Sequence, residues 1–160
     1  MTNLTELIYK FSITSVHRLR KMYWKIFKPT TFGVRCIVLN ESGNILLVKH
    51  FYSEEWYLPG GAMKAKEAPD KAITRELKEE CGIKYLASLA LLHTYVSNYE
   101  NKRDTIYLFV AICSDVLVKF NLEIERMNFF EINNLPKGTS LGTKKRINEY
   151  RLNEFKSSIW

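Results

Sequence analysis

Between Trp56 and Ile83 the sequence sets its own local structure within narrow limits. Trp56-Tyr57-Leu58 has the composition of a short strand, and Pro59-Gly60-Gly61 stops it and lets the backbone turn sharply, close to any ligand. Pro69 suits the first position of a helix and Gly82 suits its stop, so the spacing predicts a helix over 69–81. Ala72, Ile73 and Leu77 make part of that helix apolar, so part of it must be buried. Glu76, Glu79 and Glu80 stand at i, i+3 and i+4 and share one face. Like-charge pairs at these spacings cost about 0.2–0.5 kcal/mol each in an isolated helix. A solvated surface tolerates that; beside a buried face it calls for compensation, which hard divalent cations supply through oxygen ligands. Glu67 precedes the helix, and the planar fork of Arg75 is suited to bridging carboxylates and fixing their rotamers.

Around this unit the signals are mainly those of strands. Phe32 to Asn40 and Ile45 to His50 are β-rich and flank the turn Glu41-Ser42-Gly43-Asn44, which predicts a hairpin. Tyr85 to Ser97, Thr105 to Cys113 and Met127 to Ile132 are further predicted strands, and Gly142 to Phe155 is a charged C-terminal helix. Strands mixed with two or three helices, without regular alternation, predict an α/β fold with a mixed sheet. The first 30 residues stand apart. Leu4, Leu7, Ile8, Phe11, Ser15, Leu19, Met22 and Ile26 recur at spacings of three and four, predicting an amphipathic helix over 3–27 that Pro29 ends.

A chain of 160 residues predicts one domain. The longest apolar run, Ile106 to Cys113, is too short to cross a bilayer, and no secretory signal is visible. Cys36, Cys81 and Cys113 are far apart and odd in number, which predicts reduced thiols in a cytoplasmic protein. The formal charge of +7 favours anionic partners. Most of that excess is N-terminal: Lys10, Arg18, Arg20, Lys21, Lys25 and Lys28 face Glu6 alone. The rest of the chain is close to neutral.

The full pattern from Gly61 to Ile83 is Gly, five residues, Glu, seven residues, then Arg-Glu-apolar-x-Glu-Glu-x-Gly-apolar. It resembles the Nudix box, the signature of hydrolases acting on nucleoside diphosphates linked to another moiety. All nine positions over 23 residues match. Leu58 to Gly61 before the box, and Phe129-Phe130 with Leu135-Pro136 after it, also resemble the family, so the likeness covers roughly residues 32–150. It implies an α/β/α sandwich over 31–160, preceded by the basic helix of 1–30. It further implies magnesium, sometimes manganese, on Glu76, Glu79 and Glu80, with the Gly60 carbonyl a ligand in some members. Arg75 matches the residue that orients these glutamates, and Gly61 and Glu67 match supporting positions. The implied reaction is substitution by water at phosphorus, in which charge and positioning carry most of the burden.

Outside the box the residues leave alternatives. Glu123, and after it Glu125, are candidate general bases ahead of the strand at Met127. Arg35 and Lys49, on strands leading to the site, are candidates for phosphate contacts. Among Phe51, Tyr52, Trp56, Tyr95 and Tyr99, any of which could stack on a base, Trp56 and Tyr99 are the favoured pair. His50 and His93 read as strand residues with satisfied hydrogen bonds. The expected substrate is a nucleotide-containing small molecule. RNA 5′-end processing ranks lower, since the core shows no dense Lys/Arg groove. A non-catalytic binding module on the same fold is opposed by the intact box. The N-terminal stripe is expected to be covered by protein, either the catalytic domain or a second subunit. A membrane surface is the alternative, and a mitochondrial targeting peptide fits less well because of Glu6 and Tyr23-Trp24.

Overall fold

The computed structural model describes Ser15, Leu19, Met22, Ile26 and residues 29–97, 103–113 and 123–160. Six strands, β1 (Thr30–Leu39), β2 (Ile45–His50), β3 (Trp56–Tyr57), β4 (Ser88–Ser97), β5 (Arg103–Ile112) and β6 (Ile124–Phe130), form one sheet. Two helices, α1 (Pro69–Cys81) and α2 (Leu141–Leu152), accompany them. The order is β3-β2-β1-β5-β4, with β6 also paired to β2. The sheet is mixed: β1 and β5 run parallel through Thr30↔Arg103 to Leu39↔Ile112, and the other pairings are antiparallel.

Alternation along the strands separates two cores. On β2, Leu46 and Val48 join Val34, Cys36, Val38, Phe109 and Ala111 against Ala72, Ile73 and Leu77 of α1. Ile45 and Leu47 join Ile37, Leu58, Tyr95 and Leu108 against Ile147 of α2. This is the expected α/β/α arrangement. It pins α1 to one face of β1, beside the Pro59–Gly61 loop.

Both helices end on a left-handed residue. Gly82 adopts a left-handed φ of 67° and donates to the Lys78 carbonyl, while the Ile83 amide donates to the Leu77 carbonyl. Helix α2 starts at Ser140, whose hydroxyl accepts from the Thr143 amide, and ends at Asn153, also left-handed, short of the predicted Phe155. Across α2 the buried Arg146 lies over the Tyr95 ring at 3.9 Å, pairs with Glu149 at 2.8 Å, and donates to the Ile159 carbonyl. Trp160 packs edge-on against Tyr95 at 5.4 Å.

Several predicted boundaries shift; β1, for one, begins at Thr30 and not Phe32. β4 begins at Ser88 where the sequence suggested Tyr85, and β5 begins at Arg103, paired with Thr30. β6 starts at Ile124, three residues before the expected Met127, because Ile124 pairs with His50 across a register step beside Lys49. Glu125 is the extra residue of that step, a bulge that re-aims its neighbours. The described residues of the N-terminal stripe, Ser15, Leu19, Met22 and Ile26, are helical. Leu19, Met22 and Ile26 are 63%, 59% and 67% exposed, and Leu4, Leu7, Ile8 and Phe11 lie outside the described residues.

Candidate active site

The loop ahead of α1 is docked on β1 by backbone bonds: Cys36 N donates to Pro59 O at 3.0 Å, Val34 N to Gly61 O at 2.9 Å, and Met63 N to Phe32 O at 2.9 Å. That closeness requires glycine. Gly60 has φ 135°, and a Cβ there would meet the Val34 carbonyl oxygen at 2.2 Å. A Cβ on Gly61 would meet the Glu76 carboxylate at 2.6 Å. The two glycines thus bring a backbone turn into contact with the acidic face of α1.

Arg75 organises that face. Its Nε and Nη2 donate to the two oxygens of Glu67 at 2.8 and 2.9 Å, a bidentate pair. Its Nη1 donates to Glu76 at 2.7 Å and Glu79 at 3.0 Å, and Nη2 also reaches the Ala62 carbonyl at 3.0 Å. Glu67 accepts a further bond from the Lys64 amide at 2.8 Å. Hydrogen bonding from Arg75, then from that amide, holds the Glu67 carboxyl down to about 2. The guanidinium is correspondingly raised, first by Glu67. Glu76 is pushed above the usual carboxylate range by burial, against the opposing pull of Arg75.

Glu80 lies outside this fork. Its residue is 6% exposed, and burial pushes its carboxyl up to about 8. The Gly60 amide, which donates to it at 2.8 Å, and the charge of Arg35 pull the other way, while Glu76 and Glu123 push it further up. Among the described residues no cation forms an ion pair with Glu80. A buried carboxylate with a like-charged neighbour and one hydrogen bond is costly. It is the natural seat for a hard cation.

Arg35 and Glu123, both predicted outside the box, bear on its acidic groups through their charges. The charge of Arg35 bears on Glu76, Glu80 and Tyr52. Glu123 is anchored beside the end of β2 by its carbonyl, which accepts from Phe51 N at 3.2 Å, and its carboxylate accepts from the Tyr52 hydroxyl at 3.2 Å. Tyr52, which the sequence offered only as an aromatic surface, is therefore a partner of an acid near Glu80. It stacks on His50 at 4.9 Å. Glu125 is half-buried at the bulge.

Other candidates lie elsewhere. Lys49 points from the face of β2 that carries Ile45 and Leu47, away from α1, and pairs with Glu54 at 2.8 Å. Trp56, opposite Lys49, packs edge-on against Phe130 at 5.1 Å in the second core. Tyr95 is fully buried there and donates to Glu149 at 2.7 Å, so it is no stacking platform. His93 meets Tyr95 and Phe155. Tyr99 lies outside the described residues.

Comparison with known proteins decides the family. The sequence profile of the NUDIX domain matches residues 29–149. The chain belongs to the NUDIX family. This NUDIX protein is 35% identical over 98 residues to mouse diphosphoinositol polyphosphate phosphohydrolase 3-alpha. The match spans 58% of each chain. It is 40% identical over 51 residues, 32% of each chain, to an RNA pyrophosphohydrolase of Marinomonas sp. (strain MWYL1). Its fold matches that of a MutT NUDIX hydrolase from Burkholderia pseudomallei with a TM-score of 0.65 at 23% identity, over 74% of this chain and 96% of that one. A MutT protein from Methanosarcina mazei Go1 matches with a TM-score of 0.66 at 20% identity, over 82% and 99%. The carboxylates around Arg75 lie within the matched domain.

The donor chemistry around Glu80 fits a divalent cation: carboxylate oxygens and a glycine carbonyl, with one carboxylate buried. Among the described residues no three such side chains already converge on one point. The reason is visible in Arg75, whose Nη1 occupies both Glu76 and Glu79. Replacing Arg75 by Lys should therefore leave the glutamates poorly ordered, since an ammonium cannot reproduce the bidentate fork. The metal concentration giving half-maximal activity should rise about 10–100-fold, the usual effect of losing a ligand-orienting partner. A metal titration of activity checks this; an unchanged midpoint would show that Arg75 does not order the ligands.

Proposed function

We propose that this protein hydrolyses a phosphoanhydride bond in a nucleoside diphosphate linked to another moiety. The observation that carries the reading is Glu80, buried beside Glu76 and accepting from the Gly60 amide. Glu76, Glu79, Glu80 and the Gly60 carbonyl would hold magnesium or manganese. Bound there, the ion offsets phosphoanhydride charge and acidifies water. Arg35, whose charge bears on Glu76 and Glu80, would meet a phosphate oxygen. Glu123 would take the proton of the attacking water; its carboxylate accepts from the Tyr52 hydroxyl. Water attacks phosphorus, the anhydride P–O bond breaks, and a monophosphate and a second phosphorylated product leave.

A second reading is supported by the relatives named RNA pyrophosphohydrolase and diphosphoinositol polyphosphate phosphohydrolase. Both names describe anhydrides on heavily phosphorylated molecules, so RNA 5′ ends belong in the test. The experiment is a panel of nucleoside triphosphates, dinucleoside polyphosphates, nucleotide sugars, a pyrophosphorylated inositol polyphosphate and 5′-triphosphate RNA. Each is assayed with magnesium and with chelator. Activity should appear on one or more anhydrides, vanish with chelator and return with magnesium or manganese. Phosphomonoesters and simple phosphodiesters should be poor substrates. Turnover of phosphomonoesters alone, or turnover that survives chelation, would overturn the reading.

A further inference from the structure

We propose that the N-terminal arm seats this protein on an anionic membrane surface through the face that carries Leu19, Met22 and Ile26. These residues and Ser15 are helical and separated by four, three and four positions, which places them on one face. All three large apolar side chains are more than half exposed. A contiguous apolar face of this kind marks a contact surface.

The charge pattern selects the occupant. Residues 1–30 hold Lys10, Arg18, Arg20, Lys21, Lys25 and Lys28 against Glu6 alone. An apolar face flanked by lysine and arginine is the combination that lies in a bilayer interface. A second copy of the chain would instead bring two strongly cationic segments together, and like-charge juxtaposition opposes that pairing. With six Lys and Arg among residues 1–30, the arm would lie on the surface and not span it. Each cation near an anionic leaflet contributes about fivefold in binding. Charge therefore adds substantially to what three apolar side chains can supply.

The test uses the full chain and two variants. In one, Leu19, Met22 and Ile26 are all changed to Glu; in the other, Lys21, Lys25 and Lys28 are all changed to Gln. Flotation is measured with vesicles of phosphatidylcholine alone and with vesicles containing a third phosphatidylglycerol, alongside the molar mass in solution. The unchanged protein should float with the anionic vesicles and stay behind with the neutral ones, and high salt should weaken its binding. Both variants should bind at least about tenfold less well, given the contribution of each cation, while hydrolysis of a soluble substrate is unchanged. Absence of flotation with anionic vesicles, or equal flotation with neutral ones, overturns the proposal. So does a dimer that the Leu19, Met22 and Ile26 substitutions convert to monomer without any vesicle binding. Because the vesicle readout is independent of catalysis, its failure would leave the proposed hydrolysis standing.

Discussion

Changing Glu80 to Gln should nearly abolish turnover while making the metal-free protein more stable at alkaline pH. Gln keeps the shape and can still accept from the Gly60 amide, so the loop contact at 2.8 Å survives. It removes the charge that a cation would meet, and loss of one preorganised charge of this kind costs about 100–1000-fold in turnover. The stability effect has the opposite sign. Burial raises the Glu80 carboxyl from 4.5 to about 8. Between those values the folded state binds more protons than the unfolded chain. Stability of the metal-free protein therefore falls as pH rises through that window. Gln has no proton to lose. The variant should match the unchanged protein near pH 4.5 and melt a few degrees above it at pH 8, since ~1 kcal/mol moves the melting temperature by about 2–4 °C in a protein of this size. Thermal melts in chelator across that range, with activity assays in magnesium, measure both effects. A variant with normal turnover, or one less stable at pH 8, would show that Glu80 is neither the buried charge nor the catalytic one described here.

The parts of this molecule that were legible in the sequence are those encoded over a few residues. Pro69 and Gly82 bracket α1, and the observed helix keeps the predicted bounds. Spacing alone put Glu76, Glu79 and Glu80 on one face, and the fork of Arg75 supplies the expected bridge. What the sequence hid depends on pairing between distant segments. Glu123 comes to the end of β2 only because β6 pairs with β2 and the Phe51 amide meets the Glu123 carbonyl. The strand was expected to begin only at Met127, yet Ile124 ahead of it is buried and pairs with His50. Lys49 and Trp56 were misjudged for a related reason. β2 is buried on both faces, so Ile45-Leu46-Leu47-Val48 shows no alternation from which to read which face looks toward α1. The hydroxyl bond of Tyr52 to Glu123 spans 71 positions, and no local pattern announces it.

Changing Gly60 to Ala should be the most damaging single-methyl addition in the catalytic domain. The backbone there has φ 135°, a conformation that a side chain rarely adopts, and the added Cβ would sit 2.2 Å from the Val34 carbonyl oxygen. Neither atom can yield by rotating a side chain, because both belong to backbone. The loop must lift from β1, putting at risk the bonds from Cys36 N to Pro59 O and from Val34 N to Gly61 O. The amide that faces Glu80 moves with it, leaving a buried carboxylate with less support than before. Strain and lost bonds together cost on the order of 3 kcal/mol or more. Activity should fall with the same displacement, because a shift of about 1 Å in a positioning element costs about 100-fold. Gly43 supplies the control: it also has positive φ, 76°, but a Cβ there meets nothing within 4 Å. Gly43→Ala should lower stability modestly and leave turnover unchanged. Urea unfolding and steady-state rates of the two variants separate the effects. Equal losses in both would mean that left-handed backbone alone accounts for the damage; the tight seat of Gly60 against β1 requires the loss at Gly60 to be clearly larger and accompanied by loss of catalysis.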